Sequence, residues 1–182
     1  SVSQRLKAPR RHCSIQSGSS FLAEMKRTVS SERPSGASSC STSVIKPCLY
    51  FSPSSARQWG RMTPHQAICH LSDSFRSMMQ PVPITSRSNV FNRTFVRWIA
   101  LHSGLPWPHD VKTMPEVDQE IGGTKPVDFE FDRRELEGLI EQFSQRTSAN
   151  LQPHPIFGPL SDAEWQHWGY LHLDHHLRQF GK

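Results

Sequence analysis

Three histidines carry the most chemistry this sequence can offer. His172 and His176 are four residues apart in the closing run Leu160–Lys182, LSDAEWQHWGYLHLDHHLRQFGK, and side chains at i and i+4 of a helix lie one above the other. Projected at roughly 100° per residue, Trp165, Trp168, His172, His176 and Gln179 share one narrow stripe, with Gly169, Leu173 and Phe180 on its shoulder. Two imidazoles therefore occupy a face that should be buried, where a ring without a partner costs on the order of 1–3 kcal/mol. His70 projects into the apolar stripe of a second helix, formed by Ala67, Leu71, Ser74, Phe75 and Met78. Three neutral imidazoles from two helices, meeting at one depth, can hold a divalent metal (Zn, Ni or Fe) and leave positions open to a substrate. Such an ion lowers the pKa of a bound water or thiol. Asp73, Gln179 and His175 are expected to fix the ring tautomers around it. The competing expectation is that the inward histidines are core residues satisfied by hydrogen bonds.

Other catalytic signatures are missing. No Glu follows the first histidine of the pair as in the H-E-x-x-H helix of zincin peptidases, and no G-x-S-x-G elbow occurs. Cys69 adjoins His70, but neighbouring helical residues diverge by about 100°, so the two cannot pair directly. Gly122-Gly123-Thr124-Lys125 lacks the Gly-Lys-Thr order and the following helix of a phosphate loop. Asn92-Arg93-Thr94 matches a glycosylation sequon by chance. His65, in the first turn of its helix, and His12, His102, His109, His154 and His167 are expected at the surface.

The elements that must position the three histidines announce themselves by their caps. Thr63, Pro64 and Gln66 give an N-cap, a first-turn proline and a capping-box partner, predicting a helix from Pro64 to about Met79 that Pro81 and Pro83 end. Ser161 and Glu164 form a second capping box inside a Leu160/Trp165 staple, and Gly181 supplies an αL stop. A third start falls at Asp132, with a Phe131/Leu136 staple and a buried face of Leu136, Leu139, Ile140 and Phe143 running to about Thr147. A shorter helix is expected over 88–102, with Phe91, Phe95, Trp98 and Ile99 at helical spacing. Gly104–Val127 is a long Pro/Gly-rich loop, a kind of segment that often lines a site. No convincing strand is visible, so the class is all-α.

Charge and composition narrow the partners. Residues 1–60 hold nine of the 21 Lys and Arg but two of the 16 Asp and Glu, which leaves 12 basic against 14 acidic residues, a net −2, for the remainder. The overall +5 belongs to the N-terminal third, and no basic stripe interleaved with aromatics supports a nucleic-acid partner. No apolar run is long enough for a membrane span or a signal peptide. Cys13, Cys40, Cys48 and Cys69 show no C-x-x-C spacing, so neither a disulfide framework nor a zinc finger is expected. The expected compartment is the cytoplasm, although the Arg- and Ser-rich, acid-poor start faintly resembles a transit peptide. Residues 1–52 read as a low-complexity segment, half serine between Ser30 and Ser43, in which only Ser19–Arg27 looks helical. Residues 53–182 read as the folded domain.

RQWGRMTPHQAICHLSDSFR (Arg57–Arg76), PWPHDVKTMPEVD, GGTKPVDFEFDRREL and above all HPIFGPLSDAEWQHWGYLHLDHHLRQFG resemble a bacterial branch of uncharacterised DinB-like proteins. The likeness covers about residues 53–181. It implies an up-down four-helix bundle from a superfamily that includes metal-dependent thiol S-transferases and a mycothiol-dependent maleylpyruvate isomerase. The superfamily pattern of one His on the second helix and His-x-x-x-His on the last, often followed by Gln, falls on His70, His172, His176 and Gln179. The implied partners are a divalent metal and a low-molecular-weight thiol or other small molecule, with homodimer formation open. A non-catalytic binding or stress-response bundle is the alternative. Such bundles carry a long first helix before the W-G-x-M-T-P stretch, where this chain has the Ser/Pro/Cys-rich run Val29–Phe51. That run reads as the product of a reading-frame error or a misplaced start, with FLAEMKR a remnant of true sequence.

Overall fold

The computed structural model describes residues 51–182 apart from Asp110. The expectations for the N-terminal segment, including the helix at Ser19–Arg27 and the run beginning at Val29, lie outside the described residues. Four α-helices and no strand occur within them, an all-α fold: α1 (Pro64–Met79), α2 (Arg97–His102), α3 (Phe129–Ser144) and α4 (Asp162–Gln179). A π-helical turn, Asn92–Val96, leads into α2, and 3₁₀ turns lie at Pro115–Val117 and Ser148–Asn150.

Local chemistry sets the ends of α1 and α4. Thr63 Oγ1 accepts from the Gln66 amide at 3.2 Å while Gln66 Oε1 accepts from the Thr63 amide at 2.8 Å. Glu164 and Ser161 repeat the reciprocal pair, and Glu164 also receives two hydrogen bonds from the Arg97 guanidinium, which ties the start of α4 to α2. At the other end, Gly181 adopts φ +71°. Its amide reaches Arg178 O at 3.0 Å, and the Lys182 amide reaches Leu177 O at 3.1 Å. These are the paired bonds that close a helix once a residue enters the left-handed region.

α3 begins one turn earlier than its sequence suggests. Asp128 is the N-cap, accepting from the Phe131 amide at 2.7 Å, and Asp132 lies inside the helix. Asp132 is instead buried against α1, where His65 Nε2 donates to it at 2.7 Å and the Cys69 thiol at 3.7 Å. Phe131 is exposed and makes no staple, while Leu136, Leu139, Ile140 and Phe143 form the buried face as expected.

α1 is the central element. It is buried on nearly every side, packs chiefly on α3, and touches α4 and the 3₁₀ turn at Pro115–Val117. Phe75, Phe143, Trp165 and Trp168 interlock at centroid distances of 5.0 to 6.1 Å, edge-to-face except for the tilted pair Phe143–Trp168. Phe91, Phe95 and Trp98 face outward from the described residues. No helix here is long and apolar enough to cross a membrane.

Candidate metal centre

His70 on α1 and His172 and His176 on α4 meet at one point. Each offers a ring nitrogen within 4.8 Å of those of the other two, and His70 Nε2 stands 3.3 Å from His172 Nε2. Two nitrogens held at about 2.0–2.1 Å by one tetrahedral ion would be separated by about 3.3–3.4 Å, so this edge has the right length for shared ligation.

The surrounding groups decide where the protons sit. His70 Nδ1 lies 2.8 Å from the carbonyl oxygen of Val117, which can only accept, so Nδ1 carries the proton and Nε2 is bare. The same logic runs one step further for His176. Gln179 Nε2 donates to the Trp59 carbonyl at 3.1 Å, which fixes the orientation of the amide and turns Oε1 toward His176. His176 Nδ1 must then donate to Oε1, at 2.9 Å, leaving its Nε2 bare. Both rings present lone pairs inward. His172 has no such partner: its Nδ1 is buried with nothing to bond among the described residues. With the proton on Nδ1 a buried donor is orphaned. With the proton on Nε2, that nitrogen can donate to His70 but Nδ1 becomes an orphaned acceptor. No placement of protons satisfies all three rings from the described residues, and an ion shared by the Nε2 atoms would answer the inward lone pairs while leaving His172 Nδ1 a donor.

Burial keeps the cluster uncharged. It lowers the pKa of His70 against the opposing pull of the Val117 carbonyl. It holds His172 and His176 well below the ordinary imidazole value, with the neighbouring histidines adding to the effect. Neutral, inward-facing imidazole nitrogens are the form in which histidine binds a metal, so the donor set present here fits a divalent ion.

The expected supporting residues divide. Gln179 does hold a ring. Asp73 does not reach the histidines: it accepts from Thr124 N at 2.8 Å, Thr124 Oγ1 at 2.7 Å, Gln119 Nε2 at 3.0 Å and Arg76 Nη1 at 2.7 Å. It thus anchors the loop that delivers the Val117 carbonyl. His175 is partly buried between Trp59 and Trp107. Two of the expected surface histidines are placed differently. His65 is only partly exposed and bonded to Asp132, and His154 is buried, its Nδ1 accepting from the Ile156 and Phe157 amides.

Residues without chemistry of their own complete the centre. Gly60 has φ +74°, and a Cβ there would stand 2.6 Å from Gln179 Nε2. Only glycine lets the Trp59–Gly60 turn come close enough for that amide to reach the carbonyl. The rings open onto a cavity of about 870 Å³ lined by the 104–127 loop, including Trp107 and Val117, and by apolar side chains such as Met62, Ile99, Phe157 and Trp168.

Residues 52–182 match the family described as a protein of unknown function, DUF1569. The chain belongs to that family. No curated protein and no solved structure matches it. In this DUF1569 member Cys69 is excluded as a nucleophile, because burial and the adjacent Asp132 carboxylate push its thiol up to about 12.

Proposed function

We propose that His70, His172 and His176 hold one divalent metal ion, Zn, Ni or Fe, and that the chain is a metal-assisted transferase or hydrolase acting on small molecules in the adjoining cavity. The observation that carries this reading is the pair of bare Nε2 atoms, one from each helix, that converge with His172, the His70 atom standing 3.3 Å from His172 Nε2, a separation suited to shared ligation. A bound ion supplies the Lewis-acid chemistry that makes a water or a thiol nucleophilic near neutral pH. The chain's own contribution is orientation: Val117 and Gln179 hold two rings in the Nε2-bare tautomer, and Trp107 and Trp168 pack against His172. The apolar cavity then receives the organic part of the substrate. Resemblance of the HLDHHLRQFG and WGRMTPH stretches to DinB-like bundles favours the same ligand set, an up-down four-helix arrangement and a low-molecular-weight thiol as nucleophile.

Elemental analysis of the purified full chain tests this. About one metal per chain is expected in wild type, and its loss in His172→Ala. Metal-free wild type that also fails to take up Zn²⁺, Ni²⁺ or Fe²⁺ in titration would leave the rings as a hydrogen-bonded core cluster.

A further inference from the structure

The cavity holds a second polar element that the metal reading does not use. His154 lies in the linker NLQPHPIFGP, where the chain folds back on itself: His154 N donates to Gly158 O at 2.9 Å and Gly158 N to His154 O at 2.8 Å. Inside this turn His154 Nδ1 accepts from the Ile156 amide at 3.2 Å and the Phe157 amide at 3.1 Å. A nitrogen that accepts two N–H groups carries no proton, so the neutral ring bears its proton on Nε2.

That proton has no acceptor among the described residues. The ring is only 7% exposed. It stacks on Phe157 at 4.4 Å and meets Trp168 at 5.4 Å, and Trp168 in turn lies 5.1 Å from His172. His154 lines the same cavity as His172 and His176, one indole away from the cluster. Nε2 is not among the fully buried atoms that lack a partner, so it is open to a bound molecule, and the turn amides fix the ring so that its N–H keeps one direction.

We infer that His154 Nε2–H is a fixed neutral hydrogen-bond donor that recognises a carbonyl oxygen on an apolar small molecule bound in the cavity. A carbonyl is preferred to a carboxylate because His154 has no buried cation beside it. Of the cationic side chains lining the cavity, Arg61 is paired with Glu120 and Asp118, and Lys112 is exposed. An unpaired carboxylate at this depth would be penalised by its desolvation. The inference rests on the cavity being the substrate site of the proposed function, and it does not require the metal.

The test uses two probes of nearly equal shape, 2-acetylnaphthalene and 2-isopropylnaphthalene, titrated into the full chain and followed by quenching of tryptophan fluorescence. Wild type should bind the ketone about 3- to 10-fold more tightly than the hydrocarbon, the worth of one neutral hydrogen bond. His154→Asn retains a side-chain oxygen for the two turn amides but has nothing at the Nε2 position. It should bring the ratio to about one, any change the smaller side chain makes to the cavity lining falling on both probes alike. His154→Gln, which restores an N–H at that reach, should recover part of the preference. An unchanged ratio in His154→Asn, no recovery of the preference in His154→Gln, or failure of either probe to bind wild type would each overturn the inference. So would a nitrogen-15 histidine spectrum placing the His154 proton on Nδ1. Metal content measured on the same samples keeps the two questions apart: a metal-free protein that shows the ketone preference sinks only the metal reading.

Discussion

Two clusters of three metal-ligand side chains share α1 within little more than a turn. His65, Cys69 and Asp132 form one; His70, His172 and His176 form the other, and in both the candidate atoms lie within 4.8 Å of one another. Their chemistry is opposite. In the first, one carboxylate oxygen, Asp132 Oδ2, accepts from His65 Nε2, the Cys69 thiol and the Val127 amide. Donors and acceptor balance, and the 2.7 Å His65–Asp132 separation is that of a hydrogen bond, shorter than two ligands of one tetrahedral ion adopt. In the second cluster Val117 and Gln179 occupy the outer nitrogens of two rings, lone pairs face inward, and a nitrogen of the third ring is orphaned. Proximity of ligand atoms therefore does not mark a metal site. What sets the second cluster apart is that two bare Nε2 atoms face the third ring with no other donor set against them.

The comparison breaks if the two clusters respond alike to mutation. The largest effect belongs to His172→Phe, which keeps an aromatic ring against Trp168 and removes both nitrogens. A structural zinc contributes roughly 10–16 kcal/mol shared over four ligands, so one lost ligand should cost on the order of 3 kcal/mol, more than a hundredfold in affinity, read by competition with a chromophoric chelator. In excess chelator the same variant should unfold within about 1 kcal/mol of wild type, because the replacement also removes the orphan. Asp132→Ala should do the reverse. It strands the Val127 amide, the Cys69 thiol and His65 Nε2, a cost of about 2–4 kcal/mol by urea unfolding, with metal affinity unchanged. A large metal effect in Asp132→Ala would show that the two clusters are one network.

The part of the site that was legible in the sequence is the part set by helix phase. Thr63/Gln66 and Ser161/Glu164 cap through bonds that span three residues, so the starts of α1 and α4 could be read directly, and with them the faces carrying His70, His172 and His176. Asp128 and Asp132 illustrate the limit. Both are acceptable caps four residues apart, and the choice between them was made by His65 and Cys69, which are distant in sequence. The Val117 and Trp59 carbonyls were invisible because every residue has one. His154 did leave a local signal, a ring two and three residues ahead of amides in a Pro/Gly-rich turn, but a search for ligand spacing passes over it. The outward stripe of Phe91, Phe95 and Trp98 shows that apolar period identifies a helix without naming the neighbour it packs on.

Gln179 sharpens the comparison because it belongs to the frustrated cluster without being a ligand. Replacing it with Leu keeps its bulk and removes the acceptor for His176 Nδ1–H. Loss of such an outer partner typically costs 10- to 100-fold in metal affinity, and that range is expected here. Gly60→Ala should move affinity the same way by a smaller factor, since its methyl would crowd the Gln179 amide. If Gln179→Leu leaves affinity untouched, the tautomer argument for His176 is wrong even if metal binds.

Acid supplies the gentlest separation of the two clusters. His70, His172 and His176 have folded-state pKa values lowered chiefly by burial, and burial takes His154 down to about 3. The unfolded chain gains these protons below about pH 6.5 while the native state refuses them. The stability of metal-free protein is therefore full above about pH 6.5 and is lost as pH falls toward the folded-state values, by at most about 1.4 kcal/mol per pH unit for each such histidine. Urea midpoints taken in chelator between pH 7 and pH 5 should show that slope in wild type and in Asp132→Ala. His172→Phe should show a shallower one, because one of the groups that refuses a proton is gone. Equal slopes in wild type and His172→Phe would mean that the His172 ring titrates as freely in the native state as in the unfolded chain. A ring that did so could not be held neutral with its lone pair turned inward, and the metal reading would lose its third ligand.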